Sequence, residues 1–130
     1  GVTCHRAFDL TRDPMEALED CVTAGFDRIL TSGREPSAVE GTSLISDLQQ
    51  AAAGRILIMP GVGINAENVR TIVENTGVKE VHFSARTFKE SAFQRHNNKI
   101  NLLDNLPSDS GQFVVDPEKI KAVRLQISDC

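Results

Sequence analysis

Three stretches of this chain share one grammar, and that recurrence constrains the fold more than any other feature. They are AGFDRILTSG (Ala24 to Gly33), AAGRILIMPG (Ala52 to Gly61) and NTGVKEVHFSAR (Asn75 to Arg86). In each, a helix-ending glycine (Gly25, Gly54, Gly77) precedes a short apolar strand that closes in small or polar residues. The spacing is close to the roughly 30 residues of a βαβ unit, so the stretches read as consecutive βα modules. The opening GVTCHRAFD reads as the strand of a further module.

Helical patterns fill the gaps. Asp13-Pro14 starts the first, with Glu16 completing a capping box and Met15, Leu18 and Val22 facing the sheet. Thr42 or Ser43 caps the second, which carries Leu44, Ile45, Leu48 and Ala52 and stops at Gly54. Asn65 caps the third, which runs from Ala66 with Val69, Ile72 and Val73 inward. A fourth strand is expected over Glu80 to Ser84. Beyond it, 87–113 reads as loop-rich, and Asp116-Pro117 opens a closing helix over 116–128 with Ile120, Val123 and Ile127 inward.

Right-handed crossovers join such units into four parallel strands with outer helices, so the fold class is α/β and TIM-barrel-like. The 130 residues are taken as a single segment, the C-terminal half of a (β/α)8 barrel, since a whole barrel takes about 250 residues. Open parallel edges then call for a partner, either the missing N-terminal half or further copies in a homo-oligomer. A small flavodoxin-like sheet is the structural alternative.

Composition removes several functions. A net charge of -4 and 5% aromatic residues give neither the electrostatics nor the stacking surface of a nucleic-acid binder. No apolar run approaches the roughly 18 residues of a membrane span, and no signal peptide opens the chain, so a cytoplasmic protein is expected. Cys4, Cys21 and Cys130 are scattered, with no zinc or disulfide spacing. Cys4 reads as facing the helical layer and Cys21 as a small buried hydrophobe.

In a barrel of this kind the chemistry sits where strands end. Here those positions hold His5, Arg6 and Asp9; Thr31, Ser32 and Gly33; Gly61, Gly63 and Ile64; and His82, Ser84 and Arg86. His5 and His82 are the acid-base candidates, with Arg6 or Asp9 as orienting partners. The turn after RILIMP, with Gly61 and Gly63 free of Cβ atoms, can offer the amides of Gly61, Gly63 and Ile64 to an anion, with Thr31, Ser32, Gly33, Ser84 and Arg86 nearby. Parity puts His82, Ser84 and Arg86 on one face. The alternative is a tight strand-to-helix turn whose glycines serve packing alone. His96 reads as solvated surface.

In order along the chain, HRAFD, DPMEAL, GFDRILTSG, RILIMPGVGI and VHFSAR resemble the CutC copper homeostasis family, closely over Val2 to Arg86 and loosely to VDPEKIKAV. The resemblance implies a TIM-like barrel, a cytoplasmic location, oligomerisation and a link to copper(I) as bound ion or cargo. Copper(I) prefers thiolate and thioether ligands, and no clustered set of them is visible among the cysteines, Met15 and Met59, so no metal ligands are assigned. Two readings of function follow: copper(I) binding or trafficking, and a barrel enzyme acting on an anionic or phosphorylated ligand. A third is a fragment without activity of its own that associates through its open edges.

Overall fold

Capping chemistry fixes where the helices begin, and the computed structural model, which describes residues 1–90 and 111–128, separates two kinds of start. Helix α1 (Pro14–Thr23) is opened by Asp13, whose carboxylate accepts from the amides of Met15 (2.8 Å) and Glu16 (3.1 Å). Helix α4 (Pro117–Ile127) repeats the device, with Asp116 accepting from the Glu118 amide at 3.0 Å. Each aspartate satisfies amides that have no partner inside the helix, and proline occupies a position that needs no donor. The other two starts depart from expectation. Helix α2 (Thr42–Ala52) follows Gly41 with no side-chain cap, because the Thr42 hydroxyl donates back to the carbonyls of Ala38 (3.1 Å) and Val39 (2.7 Å). Helix α3 (Val69–Thr76) starts later than Ala66, because Asn65 closes a turn of its own. Its Oδ1 accepts from the Glu67 amide (2.9 Å), and its amide donates to Asn68 Oδ1 (3.0 Å).

Strands β1 (Thr3–Cys4), β2 (Arg28–Thr31) and β3 (Leu57–Pro60) lie parallel in that order, with Ile29 beside Ile58 and Leu30 beside Met59. The strand expected over Glu80–Ser84 is reduced to one parallel bridge between Gly61 and His82, in which the His82 amide donates to Pro60 O at 2.9 Å. The described parallel sheet therefore has three strands and a fourth position, not four strands. Pro60 contributes to the weakness, since without an N–H it offers only its carbonyl to a neighbour.

The sheet is covered unequally. Ile29 and Ile58 are 0% and 1% exposed and join Ile45 and Leu48 of α2 and Val69 and Ile72 of α3 in one core. Each such side chain contributes about 1.5–3 kcal/mol by leaving water. Leu30, Leu57 and Met59, of opposite parity, are only half-buried. The apolar run thus has one covered face and one open face. On α1, Leu18 and Cys21 are buried while Met15 is exposed, so the inward stripe is narrower than expected.

After the fourth position the chain changes character. Strands β4 (Arg86–Glu90) and β5 (Gly111–Val115) pair antiparallel, with the rings of Phe88 and Phe113 edge-to-face at 5.5 Å. The loop-rich stretch expected over 87–113 therefore has a strand at each end, while its middle, including His96, lies outside the described residues. Arg28 of β2 reaches Glu80 at 2.8 Å, across β3, just ahead of the fourth position.

Candidate functional site

Two arrangements meet at the strand ends, one closed and one open. The closed one is built on Asp9. After β1 the chain turns into a short 3-10 helix, Arg6–Leu10, which carries Asp9 to the end of β2. There its carboxylate, 8% exposed, accepts from the hydroxyl of Thr31, the hydroxyl and amide of Ser32 (both 3.1 Å) and the amide of Arg34 (3.2 Å). Arg6 Nε donates to it at 2.9 Å, and a second Arg6 nitrogen donates to Ser32 Oγ at 2.9 Å. Burial alone would raise the Asp9 carboxyl, but the hydrogen bonds from Thr31, Ser32, Arg6 and Arg34 outweigh it and hold the group below its ordinary value.

The open arrangement is a cleft of about 720 Å³. Arg6 and Leu30 form one wall, Val62, Gly63 and Ile64 a second, and His82, Ser84 and Arg86 a third, with Lys119 and Val123 of α4 closing the side. Val62 has φ +76 and Gly63 φ +77, both left-handed. For a β-branched residue that conformation costs on the order of 1–3 kcal/mol. The guanidinium of Arg86 stacks over the Phe113 ring at 4.7 Å.

The residues singled out from sequence divide between these arrangements. His82, Ser84, Arg86, Gly63, Ile64 and Arg6 line the cleft together. Thr31 and Ser32 are fully buried behind it as partners of Asp9, and Gly33 is buried with its amide on Thr31 Oγ1 at 2.9 Å. The Gly61 amide is committed to Thr31 O at 2.9 Å, so the anion cradle expected of three amides keeps two. His5 stands apart from the cleft wall, capping the 3-10 helix through Nδ1, which accepts from the Ala7 amide at 2.9 Å. Lys119, Val62 and Leu30 were not singled out. For Leu30 and Val62, being next to polar strand-end residues was the available signal, whereas α4 gives no sequence sign that Lys119 returns to the strand ends.

Taken singly, Cys4 and Cys21 stand where expected, Cys4 against the helix-covered core and Cys21 buried within it. Cys4 packs against the core to which Cys21 belongs, and both are free thiols. Burial first, then the Cys4 thiol and Asp20, pushes the Cys21 thiol up to about 11. Read from the sequence as scattered, Cys4 and Cys21 were not expected to approach each other. Cys130 lies outside the described residues.

Parallel strands joined by helices, with a cleft at the strand ends, define an α/β protein. A model of the CutC family matches residues 1–87, and the chain belongs to that family. It is 46% identical over 123 residues to a CutC family protein of Parabacteroides distasonis, covering 94% of this chain and 51% of the relative. It is 42% identical over 129 residues to a protein of Mus musculus named as a copper homeostasis protein cutC homolog, covering 98% of this chain and 47% of the relative. The like-named protein of Homo sapiens is 43% identical over 123 residues, covering 94% and 45%. Among solved structures, a CutC protein from Streptococcus agalactiae, described as a candidate for copper homeostasis, superposes with a TM-score of 0.59 at 37% identity. The superposition covers 62% of this chain and 40% of that one. The chain thus spans about half the length of the curated relatives it matches.

Proposed function

We propose that this chain serves copper homeostasis of the CutC type by binding or passing on copper(I) as cargo. The carrying observation is the family membership, with relatives of Mus musculus and Homo sapiens named for copper homeostasis; Cys4 and Cys21, free thiols at one core, supply the soft donors. Copper(I) favours thiolate over oxygen and imidazole donors, so the donor chemistry fits the ion. Among the described residues there is no group of three or more histidine, cysteine, aspartate or glutamate side chains placed to hold a metal. The pair would therefore act as a two-sulfur site, and Cys21, held protonated by burial, must give up its proton to a base in solvent as the ion arrives. Uptake should strengthen as pH rises.

The finer architecture supports the same reading of a larger protein. We take the three strands and fourth position as part of a (β/α)8 barrel, completed by an N-terminal half or by further copies of the chain. No helix among the described residues is long and apolar enough to cross a membrane. With Cys4 and Cys21 carried as free thiols, we place the protein in the reducing cytoplasm.

The test is a copper(I) titration under reducing conditions against a competing chelator, for the parent chain and for Cys4→Ser, Cys21→Ser and Cys130→Ser. Stoichiometric uptake lost in the first two variants and kept in the third is expected. A parent chain that takes up no stoichiometric copper(I) would sink the proposal.

A further inference from the structure

The cleft carries a second assignment, independent of the thiols. We propose that it binds a small organic phosphate monoester, with the phosphate at Arg86, Lys119, Ser84 and the amides of Gly63 and Ile64, and the organic body over Leu30, Phe83 and Val123. All of these residues line the same cavity.

The argument rests on donors that the protein leaves unused. Among the described residues, the Arg86 guanidinium has neither a carboxylate partner nor a hydrogen bond; its contact is the Phe113 ring, which supports the planar face and leaves the N–H edge open. Lys119 Nζ donates to Arg86 O (2.9 Å) and Thr87 Oγ1 (3.0 Å), both neutral, so among the described residues its charge meets no carboxylate. The Ser84 hydroxyl and the amides of Gly63 and Ile64 meet no protein acceptor among the described residues. Arg6 differs from Arg86: its charge is answered by Asp9 at 2.9 Å, which makes it a fixed wall.

The charge selects the ligand class. Arg86 and Lys119 face the cleft against one acidic lining residue, Glu67, in a chain whose net charge is -4. A phosphate monoester brings about two negative charges and three strong acceptor oxygens, enough to engage a guanidinium edge, an ammonium and backbone amides together. A carboxylate has fewer acceptor sites and half the charge. The cleft, at about 720 Å³, lies in the range of sites for small organic molecules and has room for an organic body beside the phosphate. Leu30, Phe83 and Val123 supply an apolar floor for the remainder.

The test is calorimetric titration of the full 130-residue chain with phenyl phosphate, inorganic phosphate and phenol. Phenyl phosphate should bind more tightly than either of the others. Arg86→Ala and Lys119→Ala should each weaken it by about tenfold, the loss expected when a charge-assisted hydrogen-bond partner is removed. Arg86→Lys should recover only part of that loss, because an ammonium lacks the two-pronged edge. Circular dichroism melts of the exposed-site variants establish that they remain folded. Binding of phenol as tight as that of phenyl phosphate overturns the proposal, and so does unchanged phenyl phosphate affinity in both alanine variants.

Discussion

The Asp9 network and the Arg86 wall lie at the same end of the strands, yet they treat polar groups in opposite ways. Around Asp9 each donor that converges on the carboxylate finds it, and Asp9, Thr31 and Ser32 are buried while Arg6 and Arg34 close the network from the surface. Along His82, Ser84 and Arg86 the side chains stand exposed and make no hydrogen bonds to described residues. A saturated buried network rigidifies a fold, whereas an unsaturated rim is free to spend its donors on something else. Strand-end position alone does not separate the two. Saturation does.

The largest way to break that contrast is Asp9→Ala. It should cost about 3–5 kcal/mol, read as a lowered urea midpoint, because it strands Arg6 and several buried donors at once. A smaller loss would show that water replaces the carboxylate and that the network is less closed than drawn. The same group sets an acid limit. Its folded-state value lies below its unfolded one, so its stabilisation is present above the unfolded value near pH 4 and is lost as pH falls through the folded value. Asp9→Asn should flatten that acid loss in pH-dependent melts.

Next in size is Gly33→Ala, on the closed side. A Cβ there would stand 2.3 Å from the Gly41 carbonyl oxygen, with φ at +70 besides. Overpacking and strain together predict a loss of about 2–4 kcal/mol in chemical denaturation. On the open side, Arg86→Ala should lower stability by only about 0.5–1 kcal/mol, the value of its contact with Phe113. A large loss of stability there would mean that the rim is structural after all. The smallest effect belongs to Val62→Gly. Relief of the left-handed valine offsets the lost side-chain burial and the added chain entropy, leaving a change below about 0.5 kcal/mol in the same measurement.

The repeat of glycine-led apolar strands was enough to find β2, β3 and the direction of the chain through them, because those strands are bounded by strong local signals. The Asp-Pro starts of α1 and α4 were equally plain, since the capping chemistry is contained in adjacent residues. What escaped depends on contacts between distant residues. Nothing near Asn65 says that its own turn will delay α3, and nothing near Pro60 says that its partner at His82 will pair through a single bridge. The same holds for the site. His82, Ser84 and Arg86 could be grouped by parity within one segment, but the capture of Thr31 and Ser32 by Asp9 is a packing result. His5 and His82 looked alike from their places at strand ends, and what tells them apart is the Ala7 amide on His5 and the cleft lining at His82.

The ion pair between Arg28 and Glu80 gives the cleft an unexpected dependence on the solution around it. The segment carrying His82 and Ser84 has one bridge to the sheet and packs Val81 and Phe83 on the core; its ends are tied by Glu80 on Arg28 and by Lys119 on Arg86 O. The side chains of Arg28 and Glu80 are 29% and 35% exposed, within reach of dissolved ions. Screening at high ionic strength loosens such a pair. One tie of the cleft wall is then electrostatic, so salt should weaken that tie as well as screen the attraction of a charged ligand.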